Sequence, residues 1–253
     1  MSINIIIPLA GEGSRFEEKN FPKPKPLIKV FKKTLIEISI KSLKIKDANY
    51  FFVIKKYKDN KLNKELMGIL KKYTSKKRII QIKKTTSGPV STCLKVKNID
   101  QNKPLIIANC DQYLNWNPDL FFNFVKKKEI VGSVLTYKSR NKKNSFVALK
   151  KGKIINIVEK KAISNHALIG VHYWKKTKYF FQSSKKLIFE LKKNKIKREP
   201  YISETYSYLL KKKLTLVPYS LNKSEFFLIG TPKDYFSFKK KFKDKKNDKR
   251  YFI

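Results

Sequence analysis

Hydrophobic positions along this chain come in short blocks whose period changes from block to block. Residues 3–9 run Ile-Asn-Ile-Ile-Ile-Pro-Leu, and β-branched residues in such a run predict a strand buried on both faces. Residues 34–44 then put Leu35, Ile38 and Leu43 on one helical face, opened by a capping box of Thr34 and Glu37. A strand is expected over 50–54, an amphipathic helix over 60–73 with Leu62, Leu66, Ile69 and Leu70 inward, and a strand over 78–82. Gly88-Pro89 looks like a turn opening a helix through Cys93, Leu94 and Val96, since proline suits the first helical position. Next come a strand over 104–108, a helix over 118–127 with Leu120, Phe121 and Phe124 inward, and a strand over 130–137. A hairpin joins 146–149 to 154–158 around Lys151-Gly152-Lys153, and a further strand covers 167–174. Helices over 179–194 and 202–212, strands over 214–218 and 225–229, and a helix opening at Gly230-Thr231-Pro232 follow. The charged run 239–250 reads as a solvated or fraying helix. Strands alternating with helices predict an α/β fold with a mixed, mostly parallel central sheet and helices on both faces. In such sheets ligands bind beyond the carboxyl ends of the strands.

Candidate chemistry gathers at those ends. The first strand stops at Ala10-Gly11-Glu12-Gly13-Ser14-Arg15-Phe16. Glycine lets a ligand approach main-chain N–H groups, which suit phosphate oxygens, and the fork of Arg15 matches a phosphate. The third position of a dinucleotide fingerprint is Phe16, and P-loop spacing is absent. Gly-Glu-Gly alone is equally an ordinary turn. Lys25 sits between Pro24 and Pro26, which bias it toward an extended backbone and fix its place. Asp111 follows the 104–108 strand, where a lone acid is either a turn residue or a ligand. Glu159-Lys160 closes the hairpin, where a surface pair is the plain reading, and Glu204 lies in the first turn of a helix, where the dipole alone favours an acid. His172, inside an apolar strand, reads as a core histidine.

Taken together, the strand, Leu9-Ala10-Gly11-x-Gly13-Ser14-Arg15 and Pro24-Lys25-Pro26-Leu27 resemble the signature of sugar-1-phosphate-type nucleotidyltransferases, over roughly residues 3 to 236. The resemblance implies a Rossmann-like sheet of the nucleotide-diphospho-sugar transferase type, in single-domain form without a C-terminal β-helix. It implies a nucleotidyltransferase that moves a nucleoside monophosphate from a triphosphate to a small phosphorylated acceptor, with pyrophosphate released, in surface-glycan biosynthesis. CTP or UTP is favoured as the donor. The acceptor is a sugar 1-phosphate or a phosphocholine- or phosphonate-like head group. Arg15 and Lys25 would be catalytic. Leu9, Ala10, Gly11, Gly13, Ser14, Gly88 and Asp111 would bind the nucleotide, with Gly88 under the base. Asp111 would hold Mg²⁺. Glu159, Lys160, Gly170 and Glu204 would meet the acceptor. Many relatives carry a second metal aspartate two residues before Gly230-Thr231, and here that position is Leu228. Either Asp111 and the phosphates suffice, or another acid stands in, or activity is weakened. The expected organisation is a catalytic domain over 1–238 and a basic tail over 239–253.

Composition changes this picture little. A net charge of +41 invites a nucleic-acid partner. The excess is almost all lysine, with only Arg15, Arg78, Arg140, Arg198 and Arg250 beside it, spread among many Ile, Asn, Phe and Tyr. That mixture reflects A/T-rich codons, and a diffuse coat is screened within about 8 Å at physiological salt; no nucleic-acid partner is expected. Cys93 and Cys110 make no disulfide framework or metal spacing. No leader and no membrane-spanning run is visible, so a cytoplasmic protein is expected. A homodimer is left open. Two rivals remain. A glycosyltransferase on the same sheet would want Asp-x-Asp where Asn109-Cys110-Asp111 stands, and a catalytically weakened nucleotide- or nucleic-acid-binding module would show salt-dependent binding without turnover.

Overall fold

The structure, a computed structural model, describes residues 2–16, 21–127, 129–142 and 144–245. Strand β1 (Ile3–Leu9) leads through the signature loops to a small hairpin, β2 (Lys29–Val30) and β3 (Lys33–Thr34), and helix α1 (Leu35–Leu43). Then come β4 (Ala48–Lys55), α2 (Asn60–Tyr73), β5 (Lys77–Ile82), the short α3 (Pro89–Cys93), β6 (Leu105–Ala108), β7 (Gln112–Leu114) and α4 (Pro118–Val125). The second half holds β8 (Ile130–Lys138), the hairpin β9 (Phe146–Lys150) and β10 (Lys153–Val158), β11 (His166–Trp174) and α5 (Thr177–Lys193). It ends with α6 (Tyr206–Lys211), β12 (Thr215–Ser220), β13 (Phe226–Leu228) and α7 (Pro232–Lys241).

Among the described residues, nine strands form one sheet. Its parallel part runs β5-β4-β1-β6, and β11 joins antiparallel to β6. Beyond β11 the sheet divides, one arm through β9 to β10 and the other through β8 to a parallel β12. β1 shows why an isoleucine run suits this place. Ile5 and Ile7 enter one core with α1, α2 and α4, while Ile6 enters the other with α3, α5 and α6. A third cluster packs Phe16 and Phe21 against Tyr235, Phe238 and Phe242, with Phe21 edge-on to both Phe16 and Tyr235 at 5.1 Å. It pins the signature loops to α7, and α7 itself crosses residue 238.

The capping box of Thr34 and Glu37 is present, with the Thr34 N–H donating to Glu37 Oε2 at 2.7 Å; such a cap contributes about 1 kcal/mol. Four expectations are corrected. Leu120 points outward, 58% exposed, and Val125 takes the inward place beside Phe121. The helix after Gly88 is little more than one turn, ending at Cys93. The helix expected over 202–212 begins as a 3-10 turn, Ile202–Thr205. The strand expected over 225–229 is three residues long and pairs with β7 in a separate ribbon. Of the charged run, α7 ends at Lys241, a 3-10 turn covers Lys243–Lys245, and 246–253 lie outside the described residues. Among the described residues no helix is long and apolar enough to cross a membrane.

Candidate active site

The loop after β1 turns back under Lys25. Gly13 has φ 73°, and a Cβ built on it would stand 3.1 Å from Lys25 Cβ, so bare backbone lets the two loops close on each other. The Phe16 N–H donates to the Gly13 carbonyl at 2.8 Å, and the buried Phe16 ring lies 5.3 Å from the Lys25 ammonium. Lys25 itself is not extended. It opens a 3-10 turn, Lys25–Leu27, closed by the Leu27 N–H donating to the Pro24 carbonyl at 2.8 Å. Leu27 is fully buried beneath it, and that burial overrides the local preference of a residue before proline.

Asp111 comes from the other side, between β6 and β7. Its carbonyl accepts from the Ile229 N–H at 2.7 Å, which ties it to the end of β13. The Ser39 hydroxyl of α1 donates to the Asn109 carbonyl at 2.7 Å and holds the preceding turn. Across the gap the Lys25 ammonium lies 2.6 Å from Asp111 Oδ2 and 3.4 Å from the Gly230 carbonyl. Burial pushes the neighbouring Cys110 thiol up to about 12, with the Asp111 charge adding to the effect; it stays protonated and is no nucleophile.

These parts face one cleft of about 770 Å³. The segment 9–15, Lys25, Gly88 and Asp111 all line it, so every residue assigned to catalysis or nucleotide binding from the sequence meets there. Gly88, with φ 151°, faces a tight wall: a Cβ on it would stand 2.9 Å from Pro200 Cδ and 3.2 Å from Glu199 Cβ.

The acceptor set is distributed differently. Glu159, Lys160 and Glu204 line a second hollow of about 470 Å³. Glu159 accepts from the Ser145 and Ser203 hydroxyls. Glu204 pairs with Arg198 at 2.6 Å and accepts from the Tyr201 N–H at 2.8 Å. Lys160 donates to the Tyr201 hydroxyl at 2.7 Å, a bond that raises its pKa, and it senses the charge of Arg15 from the first cleft. Gly170 lies under Asn109, whose amide would clash with a Cβ there. Beside Glu12 and Asp111 the first cleft is lined by a third acid, Glu199, which sequence reasoning missed. Its only signal is an acid before a proline, no stronger than any surface acid.

Leu228 pairs with Gln112 and packs against the first core. A hard divalent cation wants oxygen ligands. An atom where a Gly230 side chain would begin is 3.8 Å from Asp111 Oδ2 and 3.7 Å from Asp234 Oδ2, and the Lys25 ammonium already sits on Asp111 as a cation. These residues fit Mg²⁺ held jointly with substrate phosphates. Among the described residues no three or more His, Cys, Asp or Glu are grouped to hold a metal alone.

The family model described as nucleotidyl transferase matches residues 4–245. The chain belongs to the nucleotidyl transferase family. The match takes in the β1 loop, Lys25 and Asp111, and the cleft lies beyond the carboxyl ends of parallel strands, where α/β sheets receive ligands. No curated protein sequence matches. Among solved structures this family member is similar to the nucleoside-diphosphate-sugar pyrophosphorylase of Vibrio cholerae RC9, with TM-score 0.81 and 19% identity over 93% of this chain and 99% of that one. It is similar to a UDP-glucose pyrophosphorylase complexed with UDP-glucose, with TM-score 0.75 and 17% identity over 97% and 100%. The inositol-1-phosphate CTP transferase of T. maritima gives TM-score 0.73 and 14% identity over 97% and 96%.

Proposed function

We propose that the chain transfers a nucleoside monophosphate from CTP or UTP to a small phosphorylated acceptor and releases pyrophosphate, in surface-glycan assembly. The observation that carries this reading is the Lys25–Asp111 contact standing opposite the glycine loop in one cleft. The acceptor is a sugar 1-phosphate or a phosphocholine- or phosphonate-like head group. Two of the structural relatives are named for UDP-glucose and for CTP, which favours a pyrimidine donor.

An acceptor phosphate oxygen attacks the α-phosphorus in line. A new P–O bond forms, the bond to the β-phosphate oxygen breaks, and its electron pair leaves with pyrophosphate. Such transfer depends on positioning and charge neutralisation. N–H groups around Gly11 and Gly13 cradle the triphosphate, and Arg15 holds the leaving oxygens. Lys25 exchanges Asp111 for the α-phosphate and the attacking phosphate, where charge builds in the transition state. Asp111, with the phosphates, would hold Mg²⁺, which supplies further charge neutralisation when bound. Glu199 faces the acceptor end, with Glu159 and Lys160 behind it and Gly170 and Glu204 supporting. No general base is required, because a phosphate monoester is already largely ionised at neutral pH.

The test is pyrophosphate release with each of CTP, UTP, GTP, ATP and dTTP, with Mg²⁺, against sugar 1-phosphates, phosphocholine and aminoethylphosphonate. Release that needs one donor, one acceptor and Mg²⁺ is the expected result. Sugar transfer from a nucleotide sugar without pyrophosphate would overturn it.

A further inference from the structure

Asp234 is accounted for so far as a helix cap. It lies in the first turn of α7, its N–H donates to Thr231 Oγ1 at 3.2 Å, and the Thr231 hydroxyl donates back to Asp234 Oδ2 at 2.7 Å. A cap alone would be served at any surface. This one opens onto the reaction centre. A single heavy atom placed where a Gly230 side chain would begin touches three charged groups: Asp234 Oδ2 at 3.7 Å, Asp111 Oδ2 at 3.8 Å and Arg15 Nη1 at 3.9 Å. All three are ordinary van der Waals distances, so both carboxylates and the Arg15 fork border one point that a glycine leaves unfilled. The Lys25 ammonium reaches the same spot through Asp111 Oδ2 and the Gly230 carbonyl.

We infer that Asp234 is the second acidic partner of the divalent cation, taking the part for which Leu228 is unsuited. The inference rests on the proposed reaction. Leu228 is committed to the core and to its pairing with Gln112. Glu225, the acid nearest to it in sequence, is turned away, accepting from the Asn222 N–H at 2.8 Å. Asp234 is therefore the acid of the β13–α7 connection that meets the centre. Magnesium demands few protein carboxylates and keeps several waters, so an acid at this remove serves it directly or through a bound water. The same geometry explains how one residue holds two tasks. Thr231 fixes the Asp234 rotamer and so aims its carboxylate, as the supporting partners of metal ligands commonly do.

The experiment is water-proton relaxation enhancement by Mn²⁺ on the full chain, titrated with each of the five triphosphates, without acceptor and so without turnover. Asp234→Asn is expected to weaken Mn²⁺ binding in the nucleotide complex about tenfold or more, while nucleotide affinity measured without metal is unchanged. Thr231→Val, which frees the Asp234 rotamer but keeps its charge, is expected to lower the melting temperature and to weaken Mn²⁺ binding less than Asp234→Asn does. If Asp234→Asn fails to fold, Asp234→Ser keeps an oxygen for Thr231 without the charge and takes its place. Equal Mn²⁺ affinity in the neutral variant and the wild type overturns the inference alone. A wild type that binds no Mn²⁺–triphosphate overturns the proposed reaction, and this inference with it.

Discussion

The two hollows at the carboxyl edge of the sheet carry similar side chains in opposite states. In the larger one, segment 9–15 presents glycine backbone and the Arg15 fork to open space, and the paired carboxylate, Asp111, is held at 2.6 Å by a lysine that a phosphate can draw away. In the smaller one each carboxylate is already satisfied, Glu159 by two serine hydroxyls and Glu204 by Arg198 and a backbone N–H. A saturated carboxylate would lose those partners to take a ligand, and leaving them unpaired is costly. The first hollow is built to receive charge. The second is built as a lock that joins the β9–β10 hairpin to the turn before α6, and its closeness to Arg15 makes it a wall of the first.

The sharpest way to break this contrast is to remove the facing pair. Lys25→Ala and Asp111→Ala are each expected to lower kcat more than about 100-fold, as lost transition-state donors do, with pyrophosphate release as the readout; full turnover by both would remove the distinction. On the lock side, Glu159→Ala is expected to cost about 2 kcal/mol for two lost hydrogen bonds, a fall of several degrees in melting temperature, and to reduce kcat far less than Lys25→Ala does. A third test probes the sheet between the hollows. His172 is buried against Trp174 and Tyr206, and burial lowers its pKa to about 3. The unfolded chain, with histidine near 6.5, binds the proton first, so this contribution to stability is whole above about pH 6.5 and falls away as pH drops toward 3. By pH 5 the wild type should lose about 2 kcal/mol that His172→Phe does not, read as the difference between their acid unfolding curves. The smallest effect is expected at Lys23, which grips Glu65 of α2 at 2.7 Å and steadies the proline loop. Lys23→Ala should cost less than about 1 kcal/mol, because the pair is partly exposed; a large loss of kcat there would mean that Lys25 depends on it.

The same contrast explains what was legible beforehand. The β1 loop and Lys25 announce themselves because strand, loop and charged group are contiguous in the chain, whereas Gly88 and Asp111 stand out only through the family resemblance; the parallel sheet brings all four to one edge. The saturated hollow is assembled from residues 145, 159, 198, 201, 203 and 204, whose meeting depends on how the hairpin lies on the turn before α6. No local pattern carries that. Glu199 went unseen for this reason, since its place in the cleft comes from Pro200 packing on Gly88. Leu120 misled because helix periodicity does not say which of two adjacent apolar residues faces the sheet. The three-residue strands β7 and β13 are too short for periodicity to register, and they gain their shape from pairing with each other. The Lys25 turn went against its own dipeptide preference because buried Leu27 decided it.

The contact between Gly88 and the 199–200 segment bears on the order of events in turnover. With no side chain admitted at 88, Gly88 packs directly on the 199–200 segment, so in the proposed reaction the floor beneath the base would touch the wall beside the acceptor. In that reaction, whatever settles on the floor would push or steady the wall, and the two substrates would share a free energy of interaction. By linkage, the factor by which a bound nucleotide changes acceptor affinity must equal the factor by which the acceptor changes nucleotide affinity. The pair therefore constitutes a small thermodynamic balance, and position 88 is the pivot on which it turns.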